Sequence, residues 1–337
     1  MIRSFDWRDV GLVRTLGEQG VCLDSEIGLI HGSHPLQKAL LAYLMPGTGA
    51  PTLVWKNDQH AAFGQLRHRF GDEQARLVYI APECANAKDG WQPVVERLAV
   101  EAGERGAHNL IAEVNENSGE FEALRAAGFA VYARQSLWRL SAEVPTPSVR
   151  VALRPVNSAD VVGVSTLYAN IVPRLVQQVE PPPYHMRGYV LEQKHELVAF
   201  LHVRRGPLGF WVEPYLHPEA DQLSEATLLT GLSLIPNENK KPVYVCVRRY
   251  QNWLQDILMQ SGFEAMGTQA VMVKRLVARV TEPLLRPLPA IEGQVPTTTP
   301  IVRARLVRRK KEGSAGSKFI PARRELCKSE LPTTFTP

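Results

Sequence analysis

The stretch SGEFEALRAAGFAVYARQSLWRL, residues 118–140, joins a short helical pattern directly to a hydrophobic strand pattern. Phe121 and Leu124 are spaced for one face of a helix, so we expect them to dock on a sheet. Gly128 predicts that the helix ends in a left-handed cap, because glycine adopts positive φ without steric cost. From Phe129 onward the sequence predicts the strand that closes a domain.

A similar phrase returns later in the chain, as one of three matched pairs of segments. The displacements within the pairs are 134, 137 and 136 residues, and the order along the chain is the same in both sets. Matches in one order with nearly constant displacement predict two copies of one domain. The pairs are LRAAGF (124–129) with LMQSGF (258–263), AFGQLR (62–67) with AFLHVR (199–204), and YIAPE (79–83) with YLHPE (215–219).

A proline-rich stretch, SAEVPTPS at 141–148, separates the two copies and predicts a linker. The first domain is therefore expected at 1–140 and the second at 149–280. From residue 281 to residue 337 the pattern changes to proline, threonine and charge, with few periodic apolar positions. This composition predicts a disordered basic tail.

Each copy contains the same predicted order of elements. Helical segments come first, then a hairpin, a buried strand, a helix, a further strand, a short helix and the closing strand. In the first copy the hairpin turns at Asn57-Asp58 and the long helix runs from Trp91 to Gly103; in the second copy Asn157 or Ser158 is available as a helix N-cap. The order predicts a mixed α+β fold, with a mainly antiparallel sheet flanked by helices in each domain.

The charge of the chain is unevenly distributed. The net charge is +5, but residues 283–337 hold eleven Lys or Arg and four Glu, which leaves 28 basic and 30 acidic residues in the rest. The basic character therefore belongs to the tail. Its cluster between Arg303 and Lys311 is suited to nonspecific contacts with nucleic-acid phosphates, and a solvated tail is the alternative.

Cysteine spacing and hydropathy exclude several classes of protein. The four cysteines are scattered without a Cys-x-x-Cys pair, and no histidine cluster has metal-ligand spacing, so neither a disulfide framework nor a metal site is predicted. Cys84 lies in a predicted loop and is expected to be inert. No run of about 18 apolar residues is present, and the first residues lack the apolar centre of a signal peptide. We expect a soluble, cytoplasmic protein with no membrane partner.

The element order and the Leu-x-x-x-Gly-Phe helix ending resemble the GNAT superfamily of acyl-CoA-dependent N-acyltransferases. The resemblance covers most of residues 1–140 and 149–278. It implies that a central strand splays from its neighbour and that its backbone binds the pantetheine of acetyl-CoA or another acyl-CoA. It also implies a glycine-rich loop that wraps the pyrophosphate at a helix N-terminus, where backbone amides attract anions.

The resemblance carries a cofactor site over to the first copy. The loop that follows Pro82 there reads ANAKDG (85–90) and keeps only the last glycine of the family pattern, with Lys88 as a substitute phosphate partner. The loop of the second copy reads DQLSEA (221–226), with Asp221 where a cation or amide is expected. The residues expected to bind acyl-CoA are Ile80, Ala81, Pro82, Lys88, Gly90 and Trp91.

Two residues are candidates for the chemistry of acyl transfer. Glu213 matches a carboxylate that serves some members as a base toward an amine. The alternative is that Glu213 is a carboxylate at the rim or edge of the sheet without a catalytic role. Asn117 matches an asparagine that would orient substrate or water, and a helix cap is the alternative. The tyrosine acid that the family often keeps is replaced by Leu124 and Leu258, which cannot protonate a thiolate. Arg248, Arg249 and Tyr250 are expected near the cleft of the second copy.

Two functions stay open from the sequence. The resemblance favours an enzyme that transfers an acyl group from acyl-CoA to an amine of a small molecule or protein. The altered loops and the two leucines favour a non-catalytic tandem module that binds a protein or metabolite. Nucleic-acid contact by the tail would be added to either function.

Overall fold

One mixed β-sheet runs through the chain in the computed structural model. The structure describes residues 2–45, 50–69, 71–83, 91–141, 143–183, 186–237 and 240–276, apart from the side chains of 220–222. Predictions for Cys84, for the loop at 85–90 and for the tail lie outside these residues. In the described part the strands are β1 Ile2–Ser4, β2 Val21–Cys22, β3 Thr52–Lys56, β4 Ala61–His68, β5 Gln74–Ala81, β6 Asn109–Val114, β7 Ala130–Leu140, β8 Arg154–Pro155, β9 Gly188–Gln193, β10 Glu196–Arg205, β11 Phe210–Leu216, β12 Val243–Arg248 and β13 Glu264–Arg275.

Helices cover both faces of the sheet. On one face a long and a short helix pack with the strands of each half into a large apolar cluster. On the other face the helices that begin each half cover smaller clusters. The predicted mixed α+β class is confirmed. The helices are α1 Val10–Leu16, α2 Pro35–Leu44, α3 Trp91–Glu104, α4 Gly119–Ala126, α5 Val161–Ile171, α6 Arg174–Gln177, α7 Asp221–Ser233 and α8 Leu254–Gln260.

The helix endings predicted at the two glycines are confirmed. Gly128 has a φ of +86° and Gly262 a φ of +81°, both in the left-handed region. The following amide returns to the helix in each case, since Phe129 N donates to Leu124 O at 3.0 Å and the equivalent bond closes α8. Leu124 is 0% exposed and packs α4 into the core under the sheet. A cap of this kind lets each chain leave its helix directly into a closing strand.

The start of each half repeats one polar motif. Arg3 donates two hydrogen bonds to Asp9, at 2.6 and 2.7 Å, and Arg154 donates two to Asp160, at 2.8 and 2.7 Å. In the second half the Asn157 side chain accepts from Ala159 N at 2.8 Å, so the predicted N-cap is confirmed. A bidentate arginine fixes each carboxylate, which also accepts the backbone N–H of the N-cap residue, Asp6 or Asn157, at 3.0 and 2.8 Å.

The closing strands are exchanged between the two halves of the sheet. The strand order is β1-β3-β4-β5-β6-β13-β7-β12-β11-β10-β9-β8, with β2 beside β5. The last strand, β13, therefore pairs with β6 of the first half, while β7 pairs with β12 of the second half. The predicted division at 141–148 stays a prediction, but strands from both sides of it form one continuous sheet.

A pair of glutamines marks the centre of this exchange. Gln135 of β7 lies opposite Gln269 of β13, and its Nε2 donates to Gln269 Oε1 at 3.0 Å. Each strand carries one bulged residue, Tyr132 on β7 and Met266 on β13. Both pairs are 134 residues apart, the displacement that also relates the two helix endings. The register of the central strands thus agrees with the repeat seen in the sequence.

Three further observations concern the described residues. They contain no helix long and apolar enough to cross a membrane. Among them no group of three or more His, Cys, Asp or Glu is arranged to hold a metal ion. Cys22 and Cys246 are free thiols in the same part of the chain.

Candidate functional site

Two neighbouring parallel strands separate from each other in each half of the sheet. In the first half β5 and β6 pair only from Gln74 to Arg76, opposite 109–111, and β5 continues for five residues beyond the last pair. In the second half β11 and β12 pair from Phe210 to Val212, and β11 continues for four residues. The splay that the resemblance implies is therefore present twice. We call these the first splay and the second splay.

The first splay is filled by the chain's own segment 19–25. Val21 and Cys22, which form β2, pair with Ile80 and Tyr79 on the side of β5 that faces β6. Leu23 then bridges the gap, because its N–H donates to Val78 O at 2.9 Å and its carbonyl accepts from Glu113 N at 2.8 Å. The backbone of β5 that the resemblance reserves for pantetheine thus already has a protein partner.

Burial and charge hold this segment in place. Leu23 is 1% exposed, and Asp24, which is 0% exposed, pairs with Arg67 at 2.9 Å. Burial alone would raise the pKa of Asp24, but the nearby arginines, Arg67 foremost, hold it below its usual value. A Cβ on Gly20 would lie 2.5 Å from a ring carbon of Tyr79. The segment is therefore part of the folded core, and only glycine fits at its closest approach to β5.

The structure describes four of the six predicted cofactor-binding residues. Ile80 and Ala81 end β5, and both are 0% exposed. Trp91 begins α3, is 2% exposed and donates its indole N–H to Pro82 O at 2.8 Å. These four residues lie together at the end of β5. The other two, Lys88 and Gly90, lie outside the described residues.

The second splay is bridged by one side chain, Gln251. Its Nε2 donates to Pro214 O at 2.7 Å, and its Oε1 accepts from Leu216 N at 2.9 Å. These are the two main-chain groups that a parallel neighbour opposite Tyr215 would use. The side chain is 2% exposed. The amide of Gln251 therefore continues the β11 ladder where β12 has turned away.

The predicted base Glu213 is held in an ion pair. Arg204 donates to its carboxylate, and the indole N–H of Trp211 donates to the same oxygen at 3.0 Å. The His202 ring nitrogen lies 3.5 Å from the other oxygen. Burial would raise the pKa of Glu213, but the Arg204 guanidinium outweighs it and holds the pKa well below its usual value. A carboxylate so stabilised in its charged form is a weak proton acceptor.

The other predicted catalytic residue, Asn117, lies in the first half of the sheet. It occupies an exposed turn between β6 and α4, where its backbone N–H donates to Asn115 Oδ1 at 2.9 Å. Ser118, and not Asn117, is the N-cap residue of α4. The structure therefore does not bring Asn117 and Glu213 into one hydrogen-bonded group.

Two glutamates that the sequence did not single out connect the halves. Glu180 accepts two hydrogen bonds from Arg248, both 2.8 Å, and lies 3.5 Å from Arg76 of the first half. Tyr132 also donates to it at 2.6 Å. In the same way Glu26 lies 3.2 Å from Arg204 and 3.7 Å from an arginine of β4. Glu180 precedes three prolines and Glu26 precedes the short π-helix Ile27–His31, so no periodic pattern identified them.

An open cleft of about 400 Å³ lies beside β7. Its floor is the β7 stretch 131–134, one wall is formed by residues at the start of α6, and the other by Arg249 and Tyr250. Burial raises the pKa of the Tyr250 phenol. Arg249 and Tyr250, which the sequence analysis expected near the cleft of the second copy, line this cleft beside β7. Arg248, the third residue of that prediction, instead pairs with Glu180.

The comparisons with known proteins bear on the fold. No protein-family model and no curated protein matches the chain. A GCN5-related N-acetyltransferase from Sphaerobacter thermophilus is 11% identical, with a TM-score of 0.51 over 82% of this chain and 95% of that one. A Drosophila protein is 10% identical, with a TM-score of 0.50 over 82% and 98%. A tandem GNAT protein from the clavulanic acid biosynthesis pathway is 15% identical, with a TM-score of 0.48 over 82% and 98%. The chain has the fold of the GNAT acetyltransferases.

Proposed function

We propose that this GNAT-fold chain is a non-catalytic binding module in which both acyl-CoA grooves are closed by the chain itself. One observation carries the proposal. The backbone groups that would receive pantetheine are already hydrogen-bonded, to segment 19–25 in the first splay and to Gln251 in the second. A ligand would have to replace those bonds before it gained any of its own.

The first groove is costly to open. Entry of a ligand would expose Leu23, which is buried, and would separate Asp24 from Arg67. Removing one partner of a buried ion pair costs about 3–5 kcal/mol. That is a large part of the binding free energy of a micromolar ligand, about 8 kcal/mol.

The chemistry of the site supports the same proposal. Leu124 and Leu258 are 0% exposed and supply no proton for a leaving thiolate. Glu213 is ion-paired with Arg204 and is poorly suited to deprotonate an amine. Positioning alone would then have to supply the rate enhancement.

Acyl transfer from acetyl-CoA or another acyl-CoA to an amine is the second candidate function. It is favoured by the cluster of Ile80, Ala81, Pro82 and Trp91 at the end of β5, next to the loop that contains Lys88 and Gly90. In this alternative the pyrophosphate would lie on that loop.

Calorimetric titration of the full chain with acetyl-CoA separates the two functions. We expect no heat of binding and no thermal shift at about 1 mM ligand, a concentration that reveals even weak complexes. An active GNAT acetyltransferase titrated in parallel checks the ligand. Stoichiometric binding that is lost in Gly90→Glu would overturn the proposal and establish the second candidate. Acetyl-CoA binding gained in Gln251→Gly would support closure of the second groove by Gln251.

A further inference from the structure

We propose that the cleft beside β7 binds an extended acidic segment of a partner protein, which adds to the sheet as a strand. This inference rests on the proposed function, since it names the class of partner that the module takes. It concerns a surface that β7 forms with residues of the second half, outside both splays.

The floor of the cleft is a free strand edge. On this side β12 covers β7 only from Gln135 to Leu140. Among the described residues no strand pairs with the preceding stretch 130–134 on that side, and none outside the sheet forms a hydrogen bond with its outward main-chain groups. Four residues of strand span about 13 Å, enough for a short extended peptide. Unpaired strand edges accept such peptides through main-chain hydrogen bonds.

The walls of the cleft distinguish the two sides of a bound strand. Pro173, Leu175 and Val176 form an apolar wall, and Leu175 remains 55% exposed. Because successive side chains of an extended peptide point in opposite directions, alternate residues would contact this wall. The specificity expected from it is for small or branched apolar residues at every second position.

The charge of the cleft indicates that the peptide residues between the apolar positions are acidic. Arg134 and Arg249 line the cleft and are exposed. Arg134 forms an ion pair with Glu116 at 2.7 Å, whereas Arg249 has no ion pair within the described part of the chain. The basic segment 283–337 of this chain would be repelled here. An acidic partner is attracted to both guanidiniums, with Arg249 as the stronger attachment.

Fluorescence anisotropy with a capped, fluorescein-labelled hexapeptide of alternating valine and glutamate tests the proposal. The native full chain is expected to bind it, and the peptide with lysine in place of glutamate is expected to bind at least about tenfold more weakly. Arg249→Ala is expected to weaken binding about tenfold, the loss of one charge-assisted hydrogen bond. The matched control is Arg139→Ala, an exposed arginine of β7 outside the cleft, which is expected to leave binding unchanged.

N-methylated peptides test the strand geometry. The amides of an added strand point alternately toward β7 and toward solvent. Methylation of the amides that point toward β7 should abolish binding, whereas methylation of the other set should be tolerated. Three results would overturn the inference: equal binding of the two sets of methylated peptides, equal binding of the lysine and glutamate peptides, or no binding of the glutamate peptide at about 1 mM. None of these outcomes concerns acetyl-CoA, so the inference fails independently of the closed grooves.

Discussion

Replacing Gln251 by methionine is expected to destabilise the second half of the sheet without creating a cavity. The two side chains are unbranched and of similar length, so packing around the 2% exposed side chain is kept. The amide is lost, and with it the partners of the Pro214 carbonyl and the Leu216 N–H. Each buried main-chain group left unsatisfied costs about 1–3 kcal/mol. The expected loss in the free energy of unfolding is therefore about 2–6 kcal/mol.

Urea denaturation followed by circular dichroism measures this loss. The midpoint should fall while the slope stays constant, because the surface exposed on unfolding does not change. The matched control is Gln260→Met in an exposed position at the end of α8, which is expected to change stability by no more than about 0.5 kcal/mol. If Gln251→Met and Gln260→Met were equally stable, the side-chain ladder described for the second splay would not contribute to folding.

Four further substitutions, one of them with an exposed control, test other parts of the structure. Gly20→Ala is expected to destabilise by about 1–3 kcal/mol because the new Cβ would overlap a tyrosine ring of β5. Gly11→Ala, in α1 with open space around it, should stabilise by about 0.5–1 kcal/mol, as melting curves would show. Glu180→Ala leaves a buried arginine without its carboxylate and should lower the free energy of unfolding, measured by urea denaturation, by about 3–5 kcal/mol. The exposed control Glu122→Ala should lower it by less than about 0.5 kcal/mol. The pKa of Glu213 is lower in the folded than in the unfolded state, so its stabilisation is complete above the unfolded pKa, about 4.3, and is lost as pH falls; Glu213→Gln should flatten this acid dependence.

Each of these expectations has a contrary result. Equal effects of alanine at the two glycines would mean that segment 19–25 is not held against β5. A small loss on removing Glu180 would mean that water reaches its arginine partners. An unchanged acid profile in Glu213→Gln would mean that the ion pair with Arg204 forms equally in the unfolded chain.

The sequence predicts the elements of this fold well and their partners poorly. The helix that ends at Gly128 and the strand after it are recognisable because burial imposes a local period on Phe121 and Leu124. Nothing in the pattern of β7 shows that it pairs with β12, because strand pairing depends on distant parts of the chain. The same residues of β7 would be buried whether it closed its own half of the sheet or the other half. The order of elements could therefore be predicted from the sequence, whereas the exchange of closing strands could not.

The candidate site was predicted less well, for a related reason. The closure of the first splay depends on β2, which is only two residues long and lies in a segment without alternation. Gln251 ends the short helical turn Arg249–Gln251, and its role depends on the main chain of β11, 35 residues away. Glu180 precedes three prolines and has no periodic neighbours. Polar side chains that act across a fold leave no local pattern by which to identify them.

The exchange of β7 and β13 determines when the first half can fold during synthesis. A strand at position 264–275 completes the sheet whose other members end at residue 114. While the ribosome is still translating the second half, β6 has no neighbour on that side and exposes a strand edge. The first half therefore finishes folding only after almost all of residues 1–275 have left the exit tunnel, and it is open to wrong pairing during synthesis. Shortening the chain by its last strand would expose the same edge permanently.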